Sequence, residues 1–520
     1  MSNKAHDHVH RLIHSMSRAE KRYFTIHVKR TAVAGQSNHQ LLFDAIAGME
    51  VYDESALLAR FKNEAFTHRF AITKRRLYES VLRSLDAFHS ENSLDARIHR
   101  SLHQVRILYD RALYDDAAKL LHGVHRLARQ HDKQAALFAV LEWEYRLAER
   151  DNYAHLETEQ LEQLALRSQE LRLEQQELDE LWELKSRLFM TLYRRGKARD
   201  STMRKSVAGM LALDPLKDSL EGRTTKARFL HHHIQSAGAF ALDDLSACRT
   251  HLLANLALLH ADQGRTLQEP NVVLSVLSNL AFVCVALGLH EEALRHLKAF
   301  RNAPADWNMP ENEDLELKLF STSYSLELSI YTRLGQSERA LELVPCVERG
   351  LERYGKLLGP IRRAGFQYQL AYLHLLVGTP EETLRWVNRL LDDLSAAEST
   401  DLAAAGRLLY LTALYETGKL DLLAYALRNT ERSLKAWGCI HRFEPIFIGL
   451  MRALLKAKDD EQRMHAFSTF AEAMSTISKD PLEASVLDHF NALAWAQAKL
   501  NARPFAEVIQ EEALRHDQAA

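Results

Sequence analysis

The chain has 520 residues, of which 47% are apolar and 26% charged, and a formal net charge of -2. That length supports a large core divided among domains, and the near-neutral balance argues against a global attraction to nucleic acid or an anionic membrane. Four cysteines, Cys248, Cys284, Cys346 and Cys439, lie far apart with no C-x-x-C pair, which argues against a disulfide framework or a cysteine zinc site and fits a reducing compartment.

The opening "MSNKAHDHVHRLIHSMSRAEKRYF" is interrupted throughout by charge and histidine and lacks the apolar core of a secretory signal, so a cytoplasmic protein is expected. Ser17 and Glu20 have capping-box spacing and predict a helix start. The stretches "QLLFDAI", "DESALLARF" and "THRFAITKRRLYESVLRSLDAF" predict three more helices, the last with Phe70, Leu77, Val81, Leu85 and Phe88 mostly on one side. Residues 1–90 carry 14 Lys and Arg against 9 Asp and Glu, so this part is +5 and the remainder -7. Arg69, Lys74, Arg75 and Arg76 sit on a helix that follows a short helix and turn, the order of a helix-turn-helix that contacts phosphate. Lys21, Arg22, Lys29 and Arg30 could extend that patch. The alternative is a solvated basic face on a helix docked to whatever follows.

Beyond residue 92 a frame recurs. "GLHEEAL" from Gly288, "GQSERAL" from Gly335 and "GTPEETL" from Gly378 are followed by a weaker copy, "GKLDLLA", from Gly418. Related turns are expected near Ala112, Asn152, Gly196, Gly238, Lys458 and Asn501. Spacings of about 40 to 50 residues read as stacked helical hairpins. Each residue type has a task. Glycine takes the left-handed conformation that ends a helix; the Glu residues after it suit the positive end of the next helix; Thr379 suits an N-cap and Pro380 the first helical position. Ala117, Ala293 or Ala340 lets the second helix approach the first. The composition is helical, with 10 prolines and 19 glycines in the whole chain, and no alternating strand pattern is found.

With Leu280, Ala281, Ala293 and Leu297 around Gly288, and Tyr324, Tyr331 and Ala340 around Gly335, the chain resembles the tetratricopeptide-repeat (TPR) superfamily. It differs in a longer period and in lacking the closing proline of most repeats. The resemblance implies an all-α fold: a right-handed α-solenoid of about ten TPR-like hairpins over residues 93–520, preceded by a mildly basic N-terminal helical domain, 1–92. The "LIHSMSRAEKRYF" opening resembles the start of an uncharacterised bacterial family of helical-repeat proteins, and no activity comes with that likeness. In TPR proteins the first helix of each hairpin lines a groove. Carried over, that places Arg106, Tyr109, Arg146, Tyr193, Arg228, His232, Gln235, Ser325, Tyr368, Tyr372 and Tyr415 in it, Tyr and Arg being frequent interface anchors.

Other features carry less. The charge-free run Val272–Gly288 approaches membrane length, but Ser275, Ser278 and Asn279 interrupt it and it fits the repeat frame as an inner helix. "GLERYGK", Gly350 to Lys356, has the glycine and lysine spacing of a phosphate loop, but Leu357 stands where a Ser or Thr is needed and no strand precedes it. His10 with His14, and His99 with His103, have helix-face metal spacing without further ligands. No nucleophile, nucleotide or metal motif appears, so neither cofactor nor metal is expected. The expected function is a non-enzymatic scaffold or adaptor binding a protein or peptide in the groove. The alternative is a regulator whose N-terminal helices touch nucleic acid while the repeats sense a peptide or protein.

Overall fold

A computed structural model describes residues 7–31, 38–90, 93–154, 156–195, 201–217, 219–262, 270–309, 311–393, 400–437, 442–477 and 490–519, and every regular element among them is helical. The chain divides into two compact units, residues 1–242 with 257–268, and residues 243–256 with 269–520. The fold is therefore all-α and, as the frame predicts, built from TPR-like hairpins.

The first unit begins with α1 (His8–Ser15), α2 (Arg18–Thr31), α3 (Asn38–Ala47), α4 (Glu54–Arg60) and α5 (Phe70–His89). These close around a cluster of their own that includes Val9, Ile13, Phe24, Leu42, Leu77 and Val81. The capping box forms as expected: the Ser17 amide donates to Glu20 Oε2 at 2.6 Å and the Glu20 amide to Ser17 Oγ at 3.3 Å. His10 and His14 are not paired for a metal. Their Nε2 atoms reach the Met49 and Ile46 carbonyls at 2.9 and 3.2 Å, which occupies the carbonyl end of α3.

The unit continues with α6 (Leu94–Asp110), α7 (Tyr114–Gln130), α8 (Gln134–Glu149), α9 (Thr158–Arg195), α10 (Ser201–Leu211), α11 (Asp214–Lys217) and α12 (Thr225–Ala241). Helix α13 (Leu245–Asp262) contributes to both units. The second unit holds α14 (Pro270–Ala286), α15 (His290–Asp306), α16 (Glu313–Arg333), α17 (Ser337–Tyr354), α18 (Pro360–Leu376), α19 (Pro380–Asp393), α20 (Thr400–Glu416), α21 (Leu420–Trp437), α22 (Phe443–Lys456), α23 (Asp460–Ile477), α24 (Ala492–Leu500) and α25 (Phe505–Ala519). Consecutive helices pack as hairpins, and the first helices of neighbouring hairpins also touch: α6 with α8, α14 with α16, α16 with α18, and α18 with α20. Those first helices form the inner layer.

Gly288, Gly335, Gly378 and Gly418 all have positive φ, between 65° and 77°. At each, the following amide bonds back to a carbonyl five residues earlier, as in Leu289 N to Cys284 O at 2.8 Å and Thr379 N to His374 O at 2.9 Å. This is the Schellman closure. The same pair of bonds closes turns at Ala112, Asp132, Asn308 and Ala502, where a side chain is carried in the left-handed region. Gly238 is different from expectation. It lies inside α12, where an added Cβ would meet the Leu211 side chain at 2.5 Å, and the left-handed residue of that turn is Asp243. The Gly196 turn and Cys439 lie outside the described residues.

No helix among the described residues is long and apolar enough to cross a membrane. Helix α14 instead buries Val273, Leu274, Val276, Leu277, Leu280, Ala281, Val283, Cys284 and Val285, as the inner helix of a hairpin should. The "GLERYGK" glycine serves packing: Gly350 lies within α17, and a Cβ there would sit 1.9 Å from the Phe320 ring. Phe320 is itself held against Tyr354 and Phe366, with centroids 5.4 and 5.3 Å away. Gly350→Ala would gain up to about 1 kcal/mol of helix propensity but overpack the site at a cost of about 1 to 3 kcal/mol. The net effect expected is a lower melting temperature by circular dichroism; an unchanged or raised one would refute this contact.

Candidate functional site

The sequence-predicted groove residues separate into two groups. In the second unit one is buried and three are half-buried. Tyr368 is buried at 6% exposure, and burial pushes its phenol well above the ordinary range. Tyr372 packs edge-on against Phe490 and Phe505, at 6.2 and 6.1 Å, and the Asn491 amide hydrogen-bonds to its oxygen. Tyr415 meets Phe467 and Trp495 at 6.1 and 6.2 Å. Its neighbour Glu416 accepts from Trp495 Nε1 at 2.7 Å and from Lys499 Nζ at 2.6 Å. At Gly335, an added Cβ would lie 2.6 Å from the Ala506 carbonyl. The hairpin α24–α25 thus lies across the C-terminal ends of α16, α18 and α20. Assigning Tyr368, Tyr372 and Tyr415 to an open groove is therefore corrected: Tyr368 is a core residue, and Phe490, Phe505 and Trp495 pack against the other two. Ser325 is half-buried, its carbonyl accepting from Gln369 Nε2 at 2.9 Å.

In the first unit two nominated residues meet, Tyr109 and Arg146, with Arg106 one turn before Tyr109 on α6. Tyr109 on α6 has ring contacts with Tyr114 at 5.2 Å and Trp143 at 5.5 Å, and its hydroxyl donates to the Arg146 carbonyl at 3.4 Å. The Arg146 guanidinium lies 4.8 Å over the Trp143 ring and pairs with Glu142 at 2.5 Å. Arg150 lies 5.1 Å over Tyr114. Arg106 is exposed, and among the described residues no ion pair engages it. Tyr114, Trp143 and Arg150 were absent from the sequence-based set; Trp143 precedes Arg146 by three residues on α8, a one-turn spacing that the helix pattern contains. A recess of about 270 Å³ lies between α8 and α9, lined in part by Tyr145, Tyr153, Leu161, Ser168 and Arg172 and by none of the residues of that cluster. Tyr145 donates to Ser168 there at 2.7 Å.

Three of the remaining nominees, Arg228, His232 and Gln235, share one face of α12. Arg228 is half-buried, with one terminal nitrogen 3.5 Å from Thr225 Oγ1. Gln235 donates to the Leu216 carbonyl at 3.5 Å, and His232 stands edge-on to His231 at 5.3 Å. The Tyr193 side chain lies outside the described residues.

Among the basic N-terminal residues, Lys74 is corrected. It turns inward to Asp7 and Glu54, both at 2.8 Å, and to Tyr52 Oη at 3.0 Å. Burial opposes its charge, but these partners outweigh burial and hold its pKa above the ordinary value. It is a structural ion and offers nothing to phosphate. Arg75 pairs with Glu79 at 3.1 Å, while Arg69 and Arg76 are exposed.

Cys284, Glu292 and His296 bring a thiol, a carboxylate and an imidazole within 4.8 Å of one another. Arg249 already holds both Glu292 oxygens, at 2.8 and 2.7 Å, and keeps that carboxyl below its usual range. Burial pushes the Cys284 thiol up to about 11. The cluster has its cation, so it is an ion-pair network linking α13, α14 and α15.

No family model matches the chain, and no curated protein matches it. Among solved structures it is similar to the crystal structure of a Rap protein complexed with competence and sporulation factor, at 12% identity and a TM-score of 0.41, over 81% of this chain and 98% of that one.

Two outcomes follow from this geometry. Tyr368→Ala should cost about 3 to 5 kcal/mol, the range for deleting a large core ring, whereas Arg106→Ala should stay within about 0.5 kcal/mol of the parent; paired denaturant titrations measure both. His233 stacks between Phe189 and Phe229, at 4.9 and 5.8 Å. Burial, aided by the charge of Lys185, pushes its pKa down from 6.5 to about 4. The folded chain refuses a proton that the unfolded chain accepts, so this contribution is intact above about pH 6.5 and is lost as pH falls toward about 4. His233→Phe should therefore lose less melting temperature than the parent across that window. Equal losses would show that His233 does not set the slope.

Proposed function

We propose that this protein is a non-enzymatic cytoplasmic binding scaffold that holds a polypeptide segment on the inner layer of its first unit, at Arg106, Tyr109 and Arg146. One observation carries the reading: here exposed guanidinium groups gather about half-buried aromatic rings, whereas in the second unit Tyr368 is buried and Tyr372 and Tyr415 pack against rings of the chain's own Phe490, Trp495 and Phe505. Tyr, Trp and Arg supply large contact areas with few rotatable bonds and form the anchors of interfaces. Arg106 offers a free fork for a carboxylate or a backbone carbonyl. The supporting arrangement is local to α6 and α8, with α7 between them.

The test is capture from native lysate with the full chain, comparing the parent with an Arg106→Glu and Arg146→Glu double variant. Both side chains are exposed, so the variant should melt like the parent and lose a defined set of retained polypeptides. An unchanged set of partners would overturn the assignment of this surface.

A second reading has one observation in its favour: Arg69, Arg75 and Arg76 remain exposed on the N-terminal helices. If those helices contact nucleic acid, the full chain should retain DNA or RNA at low salt and release it as salt rises. No retention at low salt removes that reading.

A further inference from the structure

Helix α9 runs for 38 residues, from Thr158 to Arg195, and between Thr158 and Glu183 it carries eight carboxylates against two guanidinium groups. Three of the carboxylates have basic partners: Glu174 with Arg129, Glu177 with Arg223, and Glu183 with Arg187. Asp179 and Glu180 are satisfied only by neutral amides one turn back, those of Gln175 and Gln176, at 2.8 and 2.9 Å. Both carboxylates, with Glu183, Gln175, Gln176, Arg172 and Phe138, line a depression of about 340 Å³ between α8 and α9.

Beside it stands Trp182, at 60% exposure. It is the only one of the six tryptophans that falls in the exposed class. Gln175, Trp182 and Phe189 recur at seven-residue spacing and share one face of the helix. Phe189 is 38% exposed and Met190 52%. A large indole left in water costs hydrophobic free energy that a soluble helix gains nothing from. Its negative ring face, placed one turn after Asp179, is suited to a cation.

We propose that this face of α9, with Phe138 of α8, is a docking surface for a positively charged amphipathic polypeptide segment. Its apolar side chains would cover Trp182 and its Lys or Arg side chains would meet Asp179, Glu180 and the indole. Charge complementarity selects this partner over an acidic or purely apolar one. The surface is separate from the Arg106 cluster, and neither assignment requires the other.

The experiment uses the full chain and a labelled synthetic helical peptide of Leu and Lys with its leucines on one face, followed by fluorescence anisotropy. The parent should bind with an affinity that falls as salt rises. Trp182→Ala should weaken binding about tenfold or more, the loss typical of an aromatic anchor. The Asp179→Lys and Glu180→Lys pair should weaken it and flatten the salt dependence. Arg106→Glu should bind like the parent, which keeps failure here distinct from failure of the first-unit groove. Because Trp182, Asp179 and Glu180 are exposed, melting curves should be unchanged. Parent-like affinity in both the Trp182 and the carboxylate variants would overturn the proposal. So would equal affinity for a Lys/Ser peptide, since charge alone would then explain the binding.

Discussion

Each TPR-like turn rests on one residue held at positive φ, whose own amide and that of the next residue donate to the carbonyls of the helix just ended. Those carbonyls would otherwise be orphaned at a helix end pressed against another helix. The same closure recurs at residues 112, 132, 288, 308, 335, 378, 418 and 502. It fixes where the next helix starts and in which direction it leaves. Ala112 and Ala502 hold this conformation without glycine's freedom, at a cost of about 1 to 2 kcal/mol each, so packing beyond the turn must offset it.

That packing is visible five residues on. Ala117, Ala293, Ala340, Thr383 and Leu423 each follow a left-handed residue by that interval, and each is fully buried. At these five turns the fifth residue is a packing position and its type sets how closely the helices approach, whereas Glu313 and Glu507, at the same interval after Asn308 and Ala502, are exposed. Gly335 carries a second constraint, because the last hairpin comes so near that a Cβ would strike the Ala506 carbonyl. Left-handed backbone and close approach coincide there, and glycine alone meets both.

Much of this was legible in the sequence. The four glycine turns, the buried alanines, the Ser17–Glu20 capping box and the absence of strand patterning follow from local rules. Asp132 and Asn308 escaped because they close turns between hairpins with side chains that do not stand out in a Gly-based frame. Gly238 misled for the opposite reason: its smallness serves the Leu211 contact inside a helix. The groove tyrosines failed on a nonlocal fact. A repeat frame states which face of α18 or α20 turns inward, but it contains no information that Phe490, Trp495 and Phe505, some 80 to 130 residues later, will lie on that face. Tyr109 and Arg146 did meet, because their contact depends only on neighbouring hairpins.

The contrast between the units is a contrast in how an inner layer deals with its aromatic residues. In the second, Trp495 fills the space over Tyr415 at 1% exposure and satisfies its indole nitrogen on Glu416, so ring area and polar handle are both used within the chain. In the first, Arg146 stacks on Trp143 and Arg150 on Tyr114, while the Tyr109 ring stands edge-on to both aromatic rings. Guanidinium groups shield apolar rings while keeping donors in water, a cover that a ligand can share or displace at little cost. A surface protected in this way stays soluble without being closed. That difference, more than the repeat architecture the units share, favours the first unit as the place where another chain is met.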